Sequence, residues 1–265
     1  MQVSDYLKIF EVLANSSRIE IMQNLIVQSM KLGQLSKKMD SSIQGLQRHV
    51  DKLLDASLIL KNSDGEFSVS PIGVAVLNQI SAFEFLSKHK DYFKNHNFGD
   101  LPSEFIQRIG DLNESQFISS TMDNWQHAKN FQLEAKEYLC GISHILAIEF
   151  FEFLIDMLKK GVKFSAILGE NTIIPKGFFE KIGELDLEQF AKKGLINQRM
   201  IPKVSLTVVI TENEAMVSFP KMDGNVDDSS SFVSKDKKFH QWCMDVFNYY
   251  LDKSNKFDPS KLKIQ

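Results

Sequence analysis

Apolar positions in the first third of the chain recur at helical spacing, in short runs parted by polar breaks. Ser4 is placed to cap a first helix, in which Leu7, Phe10 and Leu13 follow three residues apart. The break "NSS" precedes "RIEIMQNLIVQ", where Ile19, Met22, Leu25 and Ile26 form the next stripe. "MKLGQLSKKMD" predicts a short third helix with Leu32, Leu35 and Met39 turned inward. Ser41 or Ser42 then caps "SSIQGLQRHVDKLLDASLIL". At about 100° per residue, its Ile43, Leu46, Val50 and Leu53 share one face. The period then changes. "SLILK" and "EFSVS" read as strands joined by "NSDG", where Asp64-Gly65 signals a tight turn. Pro71 suits the first turn of a further helix, "PIGVAVLNQISAFEFL", which is apolar around most of its circumference.

The pattern shifts at about Ser87. "SKHKDYFKNHNFGDLP" is polar and aromatic, with Gly99 and Pro102 as breakers. Beyond it "EYLCGIS" reads as a strand and "HILAIEFFEFLIDMLKK" as a helix closing at Gly161. "VKFSAIL" reads as a buried strand and "PKGFFEKIGEL" as a helix. "SLTVVITENEAMVSFP" reads as a strand pair turning at "ENE", and "DKKFHQWCMDVFNYYLDKS" as a closing aromatic helix. The expected fold class is therefore α+β. Residues 1–86 form a helical module with one hairpin, and residues 87–265 an α/β-type domain.

Composition adds bounds. The chain has 265 residues, 43% of them hydrophobic and 25% charged, which is ordinary for a protein with a core. The net charge of −3 does not advertise a polyanionic partner, so any such contact must be local. Between residues 31 and 61, Lys31, Lys37, Lys38, Arg48, Lys52 and Lys61 outnumber Asp40, Asp51 and Asp55, leaving a positive patch on an acidic body. Two cysteines, Cys140 and Cys243, are too few for a disulfide framework and fit a reducing cytoplasm. "MQVSDYLKIF" lacks the pattern of a secretory signal, and no stretch reaches the roughly 20 apolar residues of a membrane span, so no membrane partner is expected.

Three helices followed by a hairpin is the order of a winged helix-turn-helix. "LANSSRIEIMQNLI", "LGQLSKKMDSSIQGLQRHVDKLLDASLI" and "NSDGEFSVSPIGVAVL" carry Arg48-His49-Val50 and Ser70-Pro71-Ile72-Gly73. Over about residues 5–80 they resemble the ArsR-like winged-helix regulators. The resemblance implies that the helix after Ser41 and Ser42 reads double-stranded DNA, and that two copies form a homodimer on two half-sites. The residues themselves set Ser41, Gln44, Arg48 and Lys52 opposite the apolar stripe, with Gln47 on the flank. Glutamine pairs bidentately with adenine and arginine with guanine on the major-groove edge. Lys37, Lys38, Lys61 and Asn62 are the expected phosphate contacts, whose binding is salt-sensitive. His49 lies beside the apolar stripe and is left out as a packed residue. The bland alternative, a solvated polar face, weakens in the context of the whole module.

The segments "DYFKNHNFGDLPSEFIQRIGDL", "GVKFSAILGENTIIP" and "FPKMDGNVDDSSSFVSKDKKFHQWCMDVFNYYLDKS", with Gly224, Asp227, Trp242, Phe247 and Tyr250 in a shared rhythm, resemble archaeal regulators of the methanogenesis-regulatory (filamentation regulator) type. Over about residues 85–255 this implies an effector or oligomerisation domain. The strand–helix–strand run is also analogous to a phospholipase-D-like fold without its active site. A pocket for an unknown small-molecule effector would draw on His96, Trp125, Glu170, Arg199, Asp227 and Tyr249, which mix polar and aromatic groups near strand ends. Trp242, Phe247 and Tyr250 are expected in the core.

Two sharper chemistries have partial signals in the sequence. His127-x-Lys129 with Glu134 approaches a phosphodiesterase motif, but carries glutamate for aspartate, reads as helix and has no second copy. Cys140/His144 and His240/Cys243 have metal-ligand spacing, but nothing in the sequence brings them together. The expectation is a sequence-specific DNA-binding transcription regulator, not an enzyme, with no cofactor and no metal. The alternatives are a winged-helix module for protein interaction and, more remotely, a phosphodiester hydrolase using His127.

Overall fold

The computed structural model describes residues 3–145, 148–174, 176–178, 180, 183 and 187–264. It divides into two compact units, residues 1–83 and 84–265. The division falls within one helix, a few residues before the composition shift at Ser87.

The first unit is a winged helix-turn-helix. It contains α1 (Val3–Leu13), α2 (Ser16–Val27), β1 (Met30–Lys31), α3 (Leu32–Lys38), α4 (Ile43–Asp55), β2 (Ile59–Lys61), β3 (Glu66–Val69) and the start of α5 (Pro71–Lys88). Asn15 caps α2 by accepting from the Arg18 amide at 3.2 Å. The three strands pair antiparallel in the order β1-β3-β2, with Met30 opposite Phe67 and Leu60 opposite Ser68. β1 was not expected. Met30 is apolar and buried at the end of α2, and the extended pair docks it on the wing. One core holds Val12, Ile21, Met22, Leu25, Leu35, Leu46, Val50, Leu53 and Phe67.

Three expectations about inward faces are corrected. α1 already includes Ser4, and its Leu7 and Phe10 are exposed, leaving Val12 as its buried anchor. In α2, Ile21 is fully buried while Ile26 is 48% exposed, because the stripe ends where the helix passes beyond the core. In α4, Ile43 is 55% exposed. A side chain at the first helical residue tilts back past the helix end, where no element covers it.

The wing turn differs from a two-residue hairpin. Of its residues only Gly65 has positive φ, at 78°, and a side chain supports the turn. Asn62 Oδ1 accepts from the amides of Asp64 at 3.0 Å and Glu66 at 2.9 Å.

The second unit is built on a mixed nine-stranded sheet. β5 (Tyr138–Ile145), β6 (Lys163–Ile174) and β7 (Ile196–Ile201) run parallel. β8 (Thr207–Thr211), β9 (Ala215–Ser218), β10 (Ser231–Ser234) and β4 (Gln116–Ile118) continue antiparallel from β5. Short β11 (Asn255–Lys256) joins β7 and β12 (Lys263–Ile264) joins β6. The helices of this unit are α6 (Ser103–Gln107), α7 (Thr121–Leu133), α8 (Ile148–Lys159), α9 (Leu187–Lys192) and α10 (Lys237–Lys253). α8 starts four residues later than expected because His144 and Ile145 complete β5. The helix expected over "PKGFFEKIGEL" lies largely outside the described residues.

Strand alternation gives the sheet two apolar faces. Leu139, Phe164, Ala166 and Leu168 share one core with Leu154 and Leu158 of α8. Ile142, Ile167, Val208 and Ile210, one residue out of step, are buried on the other. α10 supplies Phe239, Trp242, Val246 and Phe247 to the interior, as expected for Trp242, Phe247 and Tyr250. Buried Trp242 donates its Nε1 proton to the Phe105 carbonyl at 3.0 Å, which satisfies the indole.

Candidate functional site

The exposed face of α4 is built from its capped end outward. Ser42 Oγ accepts from the Gly45 amide at 3.2 Å. The Ser41 hydroxyl donates to the Met39 carbonyl at 3.0 Å. The chain reaches this cap through Asp40, at φ 45°, a left-handed conformation that aspartate tolerates. With Leu46, Val50 and Leu53 buried, Ser41, Ser42, Gln44, Arg48 and Lys52 are all exposed. Arg48 makes no hydrogen bond or ion pair among the described residues. Gln47 is half-buried and donates to Asp51 Oδ1 at 2.6 Å, which orients its carboxamide along the helix. His49 is also half-buried. Burial first, then the charges of Arg18 and Lys52, lower its pKa, so the ring is neutral near pH 7.

Around this face Lys37 and Lys38 are exposed in the last turn of α3. Lys61 is exposed on the wing, with its ammonium 5.4 Å from the Phe67 ring centroid. Asn62 is engaged within the wing. Its oxygen holds the wing turn and its Nδ2 donates to Glu66 Oε2 at 3.3 Å, so both ends of the carboxamide have partners in the wing.

The second unit contains a cavity of about 430 Å³ between the sheet and α7. Its floor is the apolar sheet face of Leu139, Phe164, Ala166, Leu168, Val209 and Met216. Trp125, Ala128, Lys129 and Gln132 line it from α7, and Phe153 from α8. Asp227 and Asp228 close one side. The volume lies in the range of small-molecule pockets. Cys140 borders the cavity, but its side chain alternates to the other sheet face with Ile142 and Ile210, where burial pushes the thiol up to about 11, so it is protonated at neutral pH.

Of the six expected pocket residues, Trp125 and Asp227 line this cavity. Asp227 is fully buried. Burial works to raise its pKa, but hydrogen bonds from Ser229, Ser230 and His96 outweigh it and hold the carboxyl low. His96 sits behind Asp227 rather than in the cavity. Its Nε2 meets Asp227 Oδ2 at 3.0 Å, its Nδ1 meets the Tyr92 carbonyl at 2.8 Å, and its ring stacks on Tyr92 at 3.7 Å. The remaining three serve other contacts. Arg199 is bound to Ser254 Oγ at 3.0 Å and its carbonyl at 2.7 Å. Glu170 pairs with Lys261 at 2.6 Å, and the Tyr249 ring lies 4.0 Å from the Lys253 ammonium. Lys129, Gln132, Cys140 and His144 were missed as lining residues. Only knowledge of which strand face α7 covers would have found them.

His127 and Lys129 lie on α7, with Glu134 at its end. His127 Nε2 is 2.8 Å from Glu214 Oε1, a contact that pins α7 to the β8–β9 turn. The cysteine–histidine pairs have separate partners. His144 faces Asp228 at 3.3 Å, and His240 faces the Thr211 carbonyl at 2.7 Å and the Tyr138 hydroxyl at 3.2 Å. Among the described residues no group of three or more histidine, cysteine or carboxylate side chains could hold a metal ion. No described helix is long and apolar enough to cross a membrane.

Among solved structures, the chain is similar to TrmBL2, described as an archaeal chromatin protein with a novel mode of DNA binding. Identity is 14%, with 91% of this chain and 92% of that chain covered and a TM-score of 0.42. It is also similar to the phospholipase D family member Nuc from Salmonella typhimurium, at 13% identity over 54% of this chain and 97% of that one, with a TM-score of 0.38. Likenesses at these scores say nothing of activity. A curated relative, the methanogenesis regulatory protein FilR1 of Methanothrix harundinacea (strain 6Ac), is 20% identical over 278 residues. That match covers 99% of this chain and 61% of the relative, so the chain spans about three fifths of the relative's length. Residues 129–253 match the family model described as the methanogenesis regulatory protein FilR1, middle domain.

Proposed function

We propose that this chain is a sequence-specific DNA-binding transcription regulator of the ArsR-like winged-helix kind. The observation that carries the reading is the face of α4. It presents Ser41, Ser42, Gln44 and Arg48 outward from a capped helix whose other side is sealed in the core. Gln44, Gln47 and Arg48 supply the hydrogen-bonding types that distinguish base pairs in the major groove. Lys37, Lys38, Lys52 and Lys61 supply phosphate contacts, and the open amides at the α4 N-terminus favour an anion. The similarity to a curated regulatory protein supports this reading.

The regulator works as a homodimer in this proposal. Tyr6, Leu7 and Phe10 on α1 and Ile72, Val74 and Phe83 on α5 are each at least 37% exposed, apolar side chains that a second copy would cover. Residues 84–265 serve as the sensing unit, with the cavity beneath α7 as its small-molecule site. The chain is not read as an enzyme. His127 is held by Glu214 on a helix that packs over the sheet, a structural task.

Binding-site selection from a random duplex library with the purified chain tests the proposal. An enriched, two-fold-related motif is expected. One observation favours a second reading, a protein-interaction module, and that is the exposed Ile43 at the head of the reading face. A flat selection would favour it over an operator.

A further inference from the structure

The cavity beneath α7 has an uneven chemistry. Its floor is apolar, formed by Phe164, Ala166, Leu168 and Val209. Its polar groups are mostly spent. Asp227 accepts from the Ser229 amide at 3.0 Å, the Ser229 hydroxyl at 2.5 Å, His96 at 3.0 Å and the Ser230 hydroxyl, which fills the capacity of a carboxylate. Asn124 is buried and bound to the Asp228 carbonyl at 3.0 Å and to Ser231 Oγ at 2.5 Å. His144 faces Asp228.

Open hydrogen-bonding capacity remains at four lining groups: the buried Thr207 Oγ1 and His144 Nδ1, which have no partner among the described residues, and two side chains of α7. Lys129 and Gln132 make no side-chain hydrogen bond or ion pair among the described residues, and they are three residues apart, on one side of the helix. Lys129 is exposed and Gln132 half-buried, so they mark the mouth while the apolar floor lies deeper. Trp125 stands on the same helix, 45% exposed, a large apolar side chain without full cover.

From the uncommitted Lys129 and Gln132 above an apolar floor, we infer that this cavity binds a small amphipathic carboxylate. The apolar body lies on the sheet between Phe164 and Val209. The carboxylate accepts hydrogen bonds from the Lys129 ammonium and the Gln132 amide at the mouth. A cation finds a poorer answer there, because Asp227 is fully engaged and Asp228 faces His144 at 3.3 Å. A wholly apolar ligand would leave the α7 donors unused. The inference deepens the reading of residues 84–265 as a sensing unit and rests on it.

The test uses the full chain without DNA, so its failure leaves the operator reading standing. A failed operator selection likewise leaves ligand binding measurable. Decanoate and the matched neutral 1-decanol are titrated by calorimetry at neutral pH, with the emission of exposed Trp125 as a second signal and Trp125→Phe to assign it. Saturable binding of decanoate is expected, with a Trp125 response. Lys129→Gln is expected to weaken decanoate about tenfold and leave decanol unchanged. Ala166→Phe, or Ala128→Phe if the first variant does not fold, fills the cavity and is expected to abolish both. The inference is overturned by an absence of saturable decanoate binding, by equal effects of Lys129→Gln on acid and alcohol, or by unchanged binding in a folded cavity-filled variant.

Discussion

Gly73 lies against the backbone of Leu58. A Cβ built on Gly73 would stand 2.0 Å from the Leu58 carbonyl oxygen and 2.7 Å from a Val69 methyl. The same carbonyl accepts from the Ser70 amide at 3.0 Å. Ser70 Oγ accepts from the Gly73 amide at 2.9 Å and donates to the Ser57 carbonyl at 2.6 Å. The Ser-Pro-x-Gly step is thus a junction that fastens the end of the wing and the start of α5 to the end of α4. Gly73→Ala is expected to cost about 3 kcal/mol or more, since backbone must move to admit the methyl. Gly33→Ala, with nothing within 4 Å of the added carbon, is the control and is expected to be neutral or slightly stabilising. Urea denaturation of both variants checks this.

Ser57 ends α4 in a left-handed conformation, φ 58°. The Leu58 amide reaches back to the Leu53 carbonyl at 2.9 Å, the closing bond of a Schellman cap. That position prefers glycine. Ser57→Gly is expected to stabilise the chain by about 1 kcal/mol, because the Ser57 side chain makes no bond that is lost and the strain at positive φ is relieved. A rise in the denaturation midpoint with an unchanged slope checks it.

These two positions show what was legible in the sequence. The helices, the hairpin and the buried sides of α3 and α4 follow from periodicity, because Leu35, Leu46, Val50 and Leu53 must share a core whatever they pack against. β1 was not legible, because two residues carry no period. Leu7, Phe10 and Ile43 were misplaced for a related reason. Spacing shows which residues share a face, but not how far along the helix the covering element extends. In the second unit the aromatic helix α10 was legible and the pocket was not. Glu170, Arg199 and Tyr249 are instead occupied by Lys261, Ser254 and Lys253, and the first two of these pairings join segments far apart in the chain.

Asn62 belongs to the wing turn. Asn62→Ala removes an acceptor for two backbone amides and is expected to lower stability by about 1–2 kcal/mol. The salt dependence of DNA binding should stay unchanged. Lys37→Ala and Lys38→Ala should instead lower the slope of log affinity against log salt by about one each, with stability unchanged. Salt titrations on one duplex separate the two kinds of residue.

Acid should loosen the second unit through His89. Its ring is buried against Phe85 and Phe232 at 4.8 Å each and Phe117 at 5.8 Å, and its Nε2 has no hydrogen-bond partner. Burial first, and the Lys88 charge second, lower its pKa in the folded state. The unfolded chain therefore binds the proton more readily. The stability tied to neutral His89 is present above the unfolded value of about 6.5 and is lost as pH falls through the lower folded value. Denaturation midpoints between about pH 7.5 and 5 should fall less steeply in His89→Leu than in the parent chain. Parallel curves would refute the assignment.

The central claim is that α4 reads sequence through Arg48. The most direct measurement compares the affinity of the parent chain and Arg48→Ala for the selected duplex and for a scrambled duplex of equal length at one salt concentration. The account predicts that Arg48→Ala loses about 1–3 kcal/mol on the selected duplex, much less on the scrambled one, and relaxes base preference at one position of each half-site. An unchanged footprint and an unchanged ratio of the two affinities would contradict it.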